Sequence, residues 1–329
     1  MSDRLKIGIL STASIGTRSV IPAFHSLGEK FKLHAIASRN SDKAKKAAAD
    51  YNMKAYSSYE ELLDDPKIDA VYIPLPNSLH FEWVNKAQDK GLHILVEKSL
   101  GCTFNEVQQL TEKAQAKNLI LLEHFQFRFH RQLGFILDLI NSAKIGELRS
   151  VRASFGFPPF PDADNIRYKK ELGGGALLDA AAYMMKIATI LLGDEIEVKA
   201  ASMSYDTEKG VDIWGTGLLQ KKDSPLTVHI AYGFDHYYQC GIELWGSKGK
   251  LFTNRLFTAR PGYEPQIELE TAEGKETLKL SSDDHFQNIL IYFHKLITEK
   301  PAKLIDKEHR HNLIQAHLLH KFKNKAEKA

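Results

Sequence analysis

The stretch Gly8–Gly16, GILSTASIG, runs on from RLKI and leads into TRSVIPAFHSLG, whose apolar residues fall on one helical side. A dinucleotide-binding turn between a strand and a helix needs three small residues. One makes the tight turn, one lets backbone N–H groups approach pyrophosphate, and one lets the helix pack on the strand. On that spacing Ser11, Ala13 and Gly16 take the three places. Serine and alanine serve there provided the backbone avoids positive φ. The phosphates then meet the N-terminus of the following helix, where unpaired N–H groups and the dipole favour anions. Ser11, Thr12, Ala13, Ser14 and Ile15 are the candidate contacts. Read alone, the stretch is either such a turn or a strand running into a loop.

The end of the next apolar run reads ASRN, with Ser38 and Arg39 where NAD-preferring turns carry a carboxylate for the ribose 2′-hydroxyl. A guanidinium beside a hydroxyl suits a 2′-phosphate, so NADP(H) is expected over NAD(H). The other reading of Arg39 is a solvent-facing side chain in a strand–helix loop. Further on, Asp179 and Tyr183 stand four residues apart and share one face if the segment is helical. Histidines cluster at 124–130 and 309–320, but no acidic or thiol partner completes a ligand set, and no metal is expected.

Two periodicities supply the elements that must position these residues. Short apolar runs at 6–10, 32–38, 70–75, 93–98 and 119–123 alternate with helical spacing at 17–27, 41–50, 58–64, 80–90 and 104–117. That alternation predicts a doubly wound parallel sheet covered on both faces. After residue 124, strand-like runs at 148–157, 197–206, 212–221, 226–235, 241–254 and 266–272 follow one another with turns between them. Helices are expected at 131–143 and 174–192, and two more, 283–299 and 306–325, end the chain. The fold class is therefore α/β plus α+β. Residues 1–123 form a Rossmann domain, and residues 124–329 form a substrate-binding and oligomerisation domain with a large, mostly antiparallel open-faced sheet. The terminal helix is free to pack back on the first domain.

Composition narrows the function classes. The 329 residues, 43% hydrophobic and 26% charged, suit two globular domains. A net charge of +3, from 44 basic and 41 acidic residues, gives no argument for nucleic acid or an anionic membrane surface. No stretch approaches the apolar length expected of a bilayer span. Cys102 and Cys240 lack any metal or redox spacing, which fits a reduced, cytoplasmic compartment. The N-terminal apolar run is short and interrupted, so it reads as a first strand rather than a signal peptide.

In this order and at these spacings, GILSTASIG, ASR, DAVYIPLPNSLHFEW, HILVEKSL and GGGALLDAAAYMM resemble the motifs of the Gfo/Idh/MocA oxidoreductases over almost the whole chain. The segment FDHYYQCGIELWGSKGKLFTNRLFT is most similar to that family's bacterial sugar C-3 ketoreductases, which act on nucleotide-linked keto-deoxysugars. The resemblance implies that Lys98 is the active-site lysine, near the nicotinamide ribose and the substrate oxygen. The family's Glu-Lys-Pro is Glu97-Lys98-Ser99 here, so the local backbone is open to difference. Many members have histidine where this chain has Tyr183, and the sugar 3-ketoreductases have tyrosine. Hydride addition to a ketone leaves an alkoxide that needs a proton, and a tyrosine supplies it where an ammonium stabilises the phenolate. The resemblance gives Lys98 that electrostatic role and has Asp179 orient substrate hydroxyls.

By the same resemblance, Pro74, Leu75, Asn77, His80, Glu97 and Lys98 are cofactor-contacting, with His80 also readable as a cap on its own helix. Arg167 and Tyr168 belong to a loop reaching the nicotinamide and substrate, and Tyr237 and Arg255 lie in substrate-facing segments. The expected function is NADP(H)-dependent reduction of the C-3 keto group of a nucleotide-linked deoxysugar. The expected assembly is a homodimer or homotetramer through the open sheet face. Two other readings stand beside it: dehydrogenation of a free sugar or polyol, and a non-catalytic sugar or cofactor sensor.

Overall fold

A computed structural model describes residues 4–327. By contacts, the chain divides into two compact units. The first ends at His124 and takes in Phe286–Leu313; the second holds Phe125–His285 and the chain from Ile314 onward. The division therefore follows packing rather than a single cut near residue 123.

In the first unit, six strands lie in the order 3-2-1-4-5-6: β1 (Leu5–Leu10), β2 (Phe31–Ala37), β3 (Lys54–Tyr56), β4 (Ala70–Ile73), β5 (His93–Val96) and β6 (Leu121–Glu123). All their pairings are parallel. This is the doubly wound order, with its switch point between β1 and β4, outside whose carboxyl ends such folds bind ligands. Ile7, Ile9 and Leu10 are wholly buried, as a strand covered on both faces requires. β3 is absent from the expected strands because three residues at a sheet edge are too few to show a period.

The intervening helices begin at readable caps. Asn40 accepts from the Lys43 N–H at the start of α2 (Ser41–Asp50), and Ser58 from Glu61 at the start of α3 (Tyr59–Leu63). Thr103 and Glu106 form a reciprocal capping box on α5 (Phe104–Ala116). The helix after β1 differs in form: it is helical from Ser14, widens into a π turn (Gly16–Val20) and runs on into α1 (Ile21–Ser26). Helix α4 (Asn77–Asp89) lacks a side-chain cap. Of the two terminal helices, α8 (His285–Glu299) and the first part of α9 (Ala302–Ala326) belong to this unit. His294 meets Phe31 edge-on at 5.5 Å, and Asn312 donates to the Leu121 carbonyl at 3.3 Å.

In the second unit, α6 (Arg131–Asn141) precedes an eight-stranded sheet in the order 14-13-12-11-7-10-9-8. Its strands are β7 (Leu148–Gly156), β8 (Ile196–Asp206), β9 (Val211–Lys221), β10 (Thr227–Gly233), β11 (Gln239–Gly246), β12 (Gly249–Asn254), β13 (Gln266–Thr271) and β14 (Gly274–Lys279). Every pairing is antiparallel except β7 with β10. The expected single run 241–254 is a hairpin, β11 turning into β12. β14, whose only apolar side chain is Leu278, is an edge strand whose polarity hides it from a search for apolar alternation.

Val151, Ala153 and Phe155 point from β7 into the core, and Arg152 between them faces away, opposite Glu243 and His229. The core is completed by a π turn (Leu177–Ala181) leading into α7 (Ala182–Leu192), and by Leu318, Leu319 and Phe322 of α9. By length and composition Lys170–Leu192 is apolar enough to cross a membrane, against the expectation that no stretch is; 78% of that window is buried in the structure.

Phe322 rests on Gly217 of β9. A Cβ there would lie 2.2 Å from Phe322 Cε2 and 2.9 Å from the Ala200 carbonyl oxygen. Gly217→Ala is therefore expected to cost about 1–3 kcal/mol, read from urea unfolding; unchanged stability would show that Phe322 does not press on the strand.

Candidate active site

The first unit brings its singled-out residues to the carboxyl ends of β1, β2, β4 and β5. Ser11 follows β1 and still donates its N–H to the Ala37 carbonyl at 2.9 Å. Its φ is 126°, so the expectation that this backbone stays out of the positive region is wrong. A serine holds the conformation with local help: Ser11 Oγ accepts from the Ala13 N–H at 3.1 Å. A Cβ on Gly16 would lie 3.4 Å from Tyr72 and 3.5 Å from Pro74, ordinary contact, so the helix packs closely here but leaves room for a methyl group. The helix itself begins at Ser14, two residues earlier, and the first N–H groups of a helix have no partner within it and can meet an anion.

Ser38 is buried and its hydroxyl is engaged, 3.2 Å from Thr12 Oγ1 and accepting from the Asn40 N–H at 3.2 Å. Arg39 is exposed and forms no ion pair among the described residues. Tyr59, which sequence reasoning missed, touches both sides of this loop. Burial raises its phenol above the usual range against the opposing Arg39 charge and hydrogen bonds with the Ser11 side chain and Arg39 backbone. Ser11–Ile15 and Arg39 are the groups at these strand ends that could hold the phosphates of a dinucleotide.

The segment carrying Lys98 is fixed peptide by peptide. The Glu97 N–H donates to Ile73 at 3.1 Å. The Ser99 N–H donates to Asn77 Oδ1 at 3.2 Å, while the Ser99 carbonyl lies 2.6 Å from His80 Nδ1. The Leu100 N–H donates to Glu123 at 2.9 Å. The Lys98–Ser99 peptide bond, where the family pattern has proline, is cis. Asn77 and His80 lie three apart on the first turn of α4, so one helix face grips both ends of the Ser99 peptide. The other ring nitrogen of His80 lies 2.8 Å from the Leu75 carbonyl. His80 is wholly buried, and burial lowers its pKa against the pull of the two carbonyls. The neutral ring donates to one of these two carbonyls, so His80 ties the loop at Leu75 to the one at Ser99. Glu97 accepts from the Tyr72 hydroxyl at 2.6 Å and lies 2.9 Å from His124. Burial pushes that carboxyl up, but His124, Tyr72 and Lys98 outweigh it and hold it below its usual value.

The second unit holds the other residues. Tyr183, on α7, is 7% exposed and ringed by Phe125, Phe127, Phe155 and Phe257 at centroid distances of 5.2–5.8 Å. Lys186, one turn on and fully buried, sets its ammonium 4.8 Å from the Phe125 ring centroid. Sequence reasoning missed it, although a lysine inside AAYMMKIATILL is a visible signal. Arg167 and Asp179 were expected to serve different ligands. They are bound to each other, Nε to Oδ2 at 2.5 Å, and the carboxylate raises the arginine's pKa. A partly buried charge without a partner would be costly, which accounts for the pairing. Tyr168 accepts from the Phe160 N–H at 3.0 Å and packs on Phe234. Tyr237 is 88% exposed, and the ring beside Arg255 is its neighbour Tyr238, whose hydroxyl accepts from Arg255 at 3.4 Å.

Comparison with known proteins agrees with this geometry. The model described as an oxidoreductase family with an NAD-binding Rossmann fold matches residues 5–125, and that of the GFO/IDH/MocA C-terminal domain matches 136–252. The dTDP-3,4-didehydro-2,6-dideoxy-alpha-D-glucose 3-reductase of Saccharopolyspora spinosa is 39% identical over 293 residues, 89% of this chain and 87% of that one. The chain belongs to the Gfo/Idh/MocA oxidoreductase family. Another member, the NADP-dependent D-xylose 1-dehydrogenase 2 of Haloferax volcanii, is 33% identical over 92% of both chains. A 3-ketoreductase from Actinomadura kijaniata, solved with NADP and TDP-benzene, superposes with a TM-score of 0.93 at 32% identity over 98% of each chain. Forms of that enzyme with a tyrosine changed to phenylalanine, or a lysine to alanine, have also been solved with both ligands.

Proposed function

We propose that this chain is an NADP(H)-dependent oxidoreductase that reduces the C-3 keto group of a nucleotide-linked deoxysugar. The observation that carries the reading is a near full-length likeness to enzymes named for that reduction, in a chain with both Lys98 and Tyr183. Ser11–Ile15 and the helix start at Ser14 hold the pyrophosphate, and Arg39 holds the 2′-phosphate. When bound, the dihydronicotinamide supplies the hydride. Tyr183 gives its phenolic proton to the ketone oxygen as that oxygen becomes an alkoxide, and the Lys98 ammonium stabilises the phenolate left behind. Asp179, held by Arg167, directs a carboxylate oxygen to a sugar hydroxyl, while Tyr168, Tyr237 and Arg255 serve the substrate side. Retention of lysine and tyrosine speaks against a sensor. Free thiols at Cys102 and Cys240 are compatible with a cytoplasmic setting.

A second reading, dehydrogenation of a free sugar, is favoured by the likeness to the xylose dehydrogenase. Steady-state kinetics with a TDP-linked keto-sugar and its free counterpart separate the two. We also propose a homodimer or homotetramer through the sheet face bearing Arg152, Leu218 and Trp245. Trp245 is 40% exposed there, with the Arg152 guanidinium 4.0 Å from its ring centroid.

Tyr183→Phe and Lys98→Ala should each lower kcat by about a hundredfold or more, with NADPH affinity near that of the parent in calorimetry. Full activity in the phenylalanine variant sinks the proton-donor role. Arg39→Ala should weaken NADPH by about tenfold or more and NADH little; equal weakening contradicts the 2′-phosphate contact. For the assembly, Leu218→Arg should lower the mass seen by light scattering, and an unchanged oligomer would rule out this face.

A further inference from the structure

The turn that leads into α7 starts without a cap of its own: Ala176, the residue before it, supplies no side-chain hydrogen bond. The first N–H groups of a helical segment have no partner within it. Here the partner comes from across the unit. Asp212 Oδ2 accepts from the Leu177 N–H at 2.6 Å, and the Ala176 backbone also bonds to the same carboxylate.

Two further features fit the approach of that carboxylate. Gly175 has φ +109°, and a Cβ on it would lie 2.3 Å from Asp212 Oδ1, so any side chain there would push the carboxylate away. A bulge in β9 aims Asp212. Against β8, Ser204 pairs with Trp214 and the next residue, Tyr205, pairs with Asp212, which leaves Ile213 as the extra residue. Bulges re-aim side chains in this way. Trp214 is 39% exposed, whereas Asp212 is 7% exposed and turned toward the helix start.

We propose that Asp212 is a positioning residue for Tyr183, capping from β9 the turn whose register sets where the Asp179 and Tyr183 side chains stand. The proposal rests on the reading of Tyr183 as proton donor. An ionised carboxylate makes stronger, charge-assisted bonds to these N–H groups than a protonated one. Burial raises the Asp212 pKa to about 6, against the opposing pull of the Leu177, Asp212 and Ala176 backbone and the Lys323 charge. The charged and titratable groups around it are Lys323 of α9, Tyr205 of β8 and Tyr232 of β10.

Two opposite pH dependences follow. A carboxyl whose folded pKa lies above its ordinary 3.8 binds more protons in the folded state. Its contribution to stability is therefore full below that ordinary value and is lost as pH rises through about 6. The cap tightens over the same interval, so kcat rises where stability falls.

The test is a set of three variants, Asp212→Ala, Asp212→Asn and Tyr183→Phe, assayed with NADPH and a TDP-linked keto-sugar and unfolded in urea across that pH range. Asp212→Ala should lower kcat by about tenfold to a hundredfold while NADPH affinity stays that of the parent. Asp212→Asn keeps an acceptor of equal capping rank. It should restore most of kcat at neutral pH and abolish both the rise in kcat and the fall in unfolding free energy near pH 6. An inactive Tyr183→Phe beside an Asp212→Ala with parental kcat overturns the cap and leaves the proton donor standing. An Asp212→Asn that retains both pH dependences overturns it equally. A fully active Tyr183→Phe instead removes the reading on which the cap rests.

Discussion

A backbone N–H or carbonyl taken out of water must be paired, and where a strand or helix ends inside a core the regular ladder no longer pairs it. Both segments that matter here meet that constraint with side chains. After β5, Asn77 takes the Ser99 N–H, His80 faces its carbonyl, and Glu123 takes the Leu100 N–H. Before α7, Asp212 takes the Leu177 N–H. These groups contribute to stability by satisfying buried polarity, and the same bonds fix the backbone from which Lys98 and Tyr183 project. Stability and positioning are therefore carried by the same contacts.

This explains why some sequence features were readable and others were not. Alternating runs and caps gave the layers, because β1 or α5 follows from residues within one element. β3 and β14 fell below that threshold, one through brevity and the other through charge. The small-residue loop was visible, but its positive φ at Ser11 was not: a serine there looks compatible with any backbone until Ala37 and Ala13 are seen to bond to it. Asn77 and His80 were singled out and their spacing was plain. Their target, a peptide 19 to 22 residues on, depends on β4 and β5 lying side by side. The pairing of Arg167 with Asp179 was hidden for a similar reason, since three glycines and a tight turn between them fold the chain back.

The surroundings of Tyr183 show how an apolar box and a polar task coexist. Four phenylalanines remove water and fix the ring, which favours a single orientation of the hydroxyl. The same low polarity would oppose a phenolate unless positive charge compensates. Within the second unit, the Lys186 ammonium against Phe125 contributes positive charge to this neighbourhood. Arg167, paired with Asp179, also interacts electrostatically with Tyr183 and so adds to the positive charge on this side.

Selectivity at the cofactor end follows from what is already occupied. A hydroxyl beside an arginine suggests that both greet the ribose phosphate, yet Ser38 has spent its hydroxyl on Thr12 and the Asn40 N–H. Its task is to shape the loop. In the proposed reading, recognition of a 2′-phosphate then falls on the exposed Arg39 guanidinium and the backbone around it. Discrimination between the two dinucleotides would be electrostatic and sensitive to salt, as expected of an exposed cation, rather than set by a rigid hydrogen-bonding pocket.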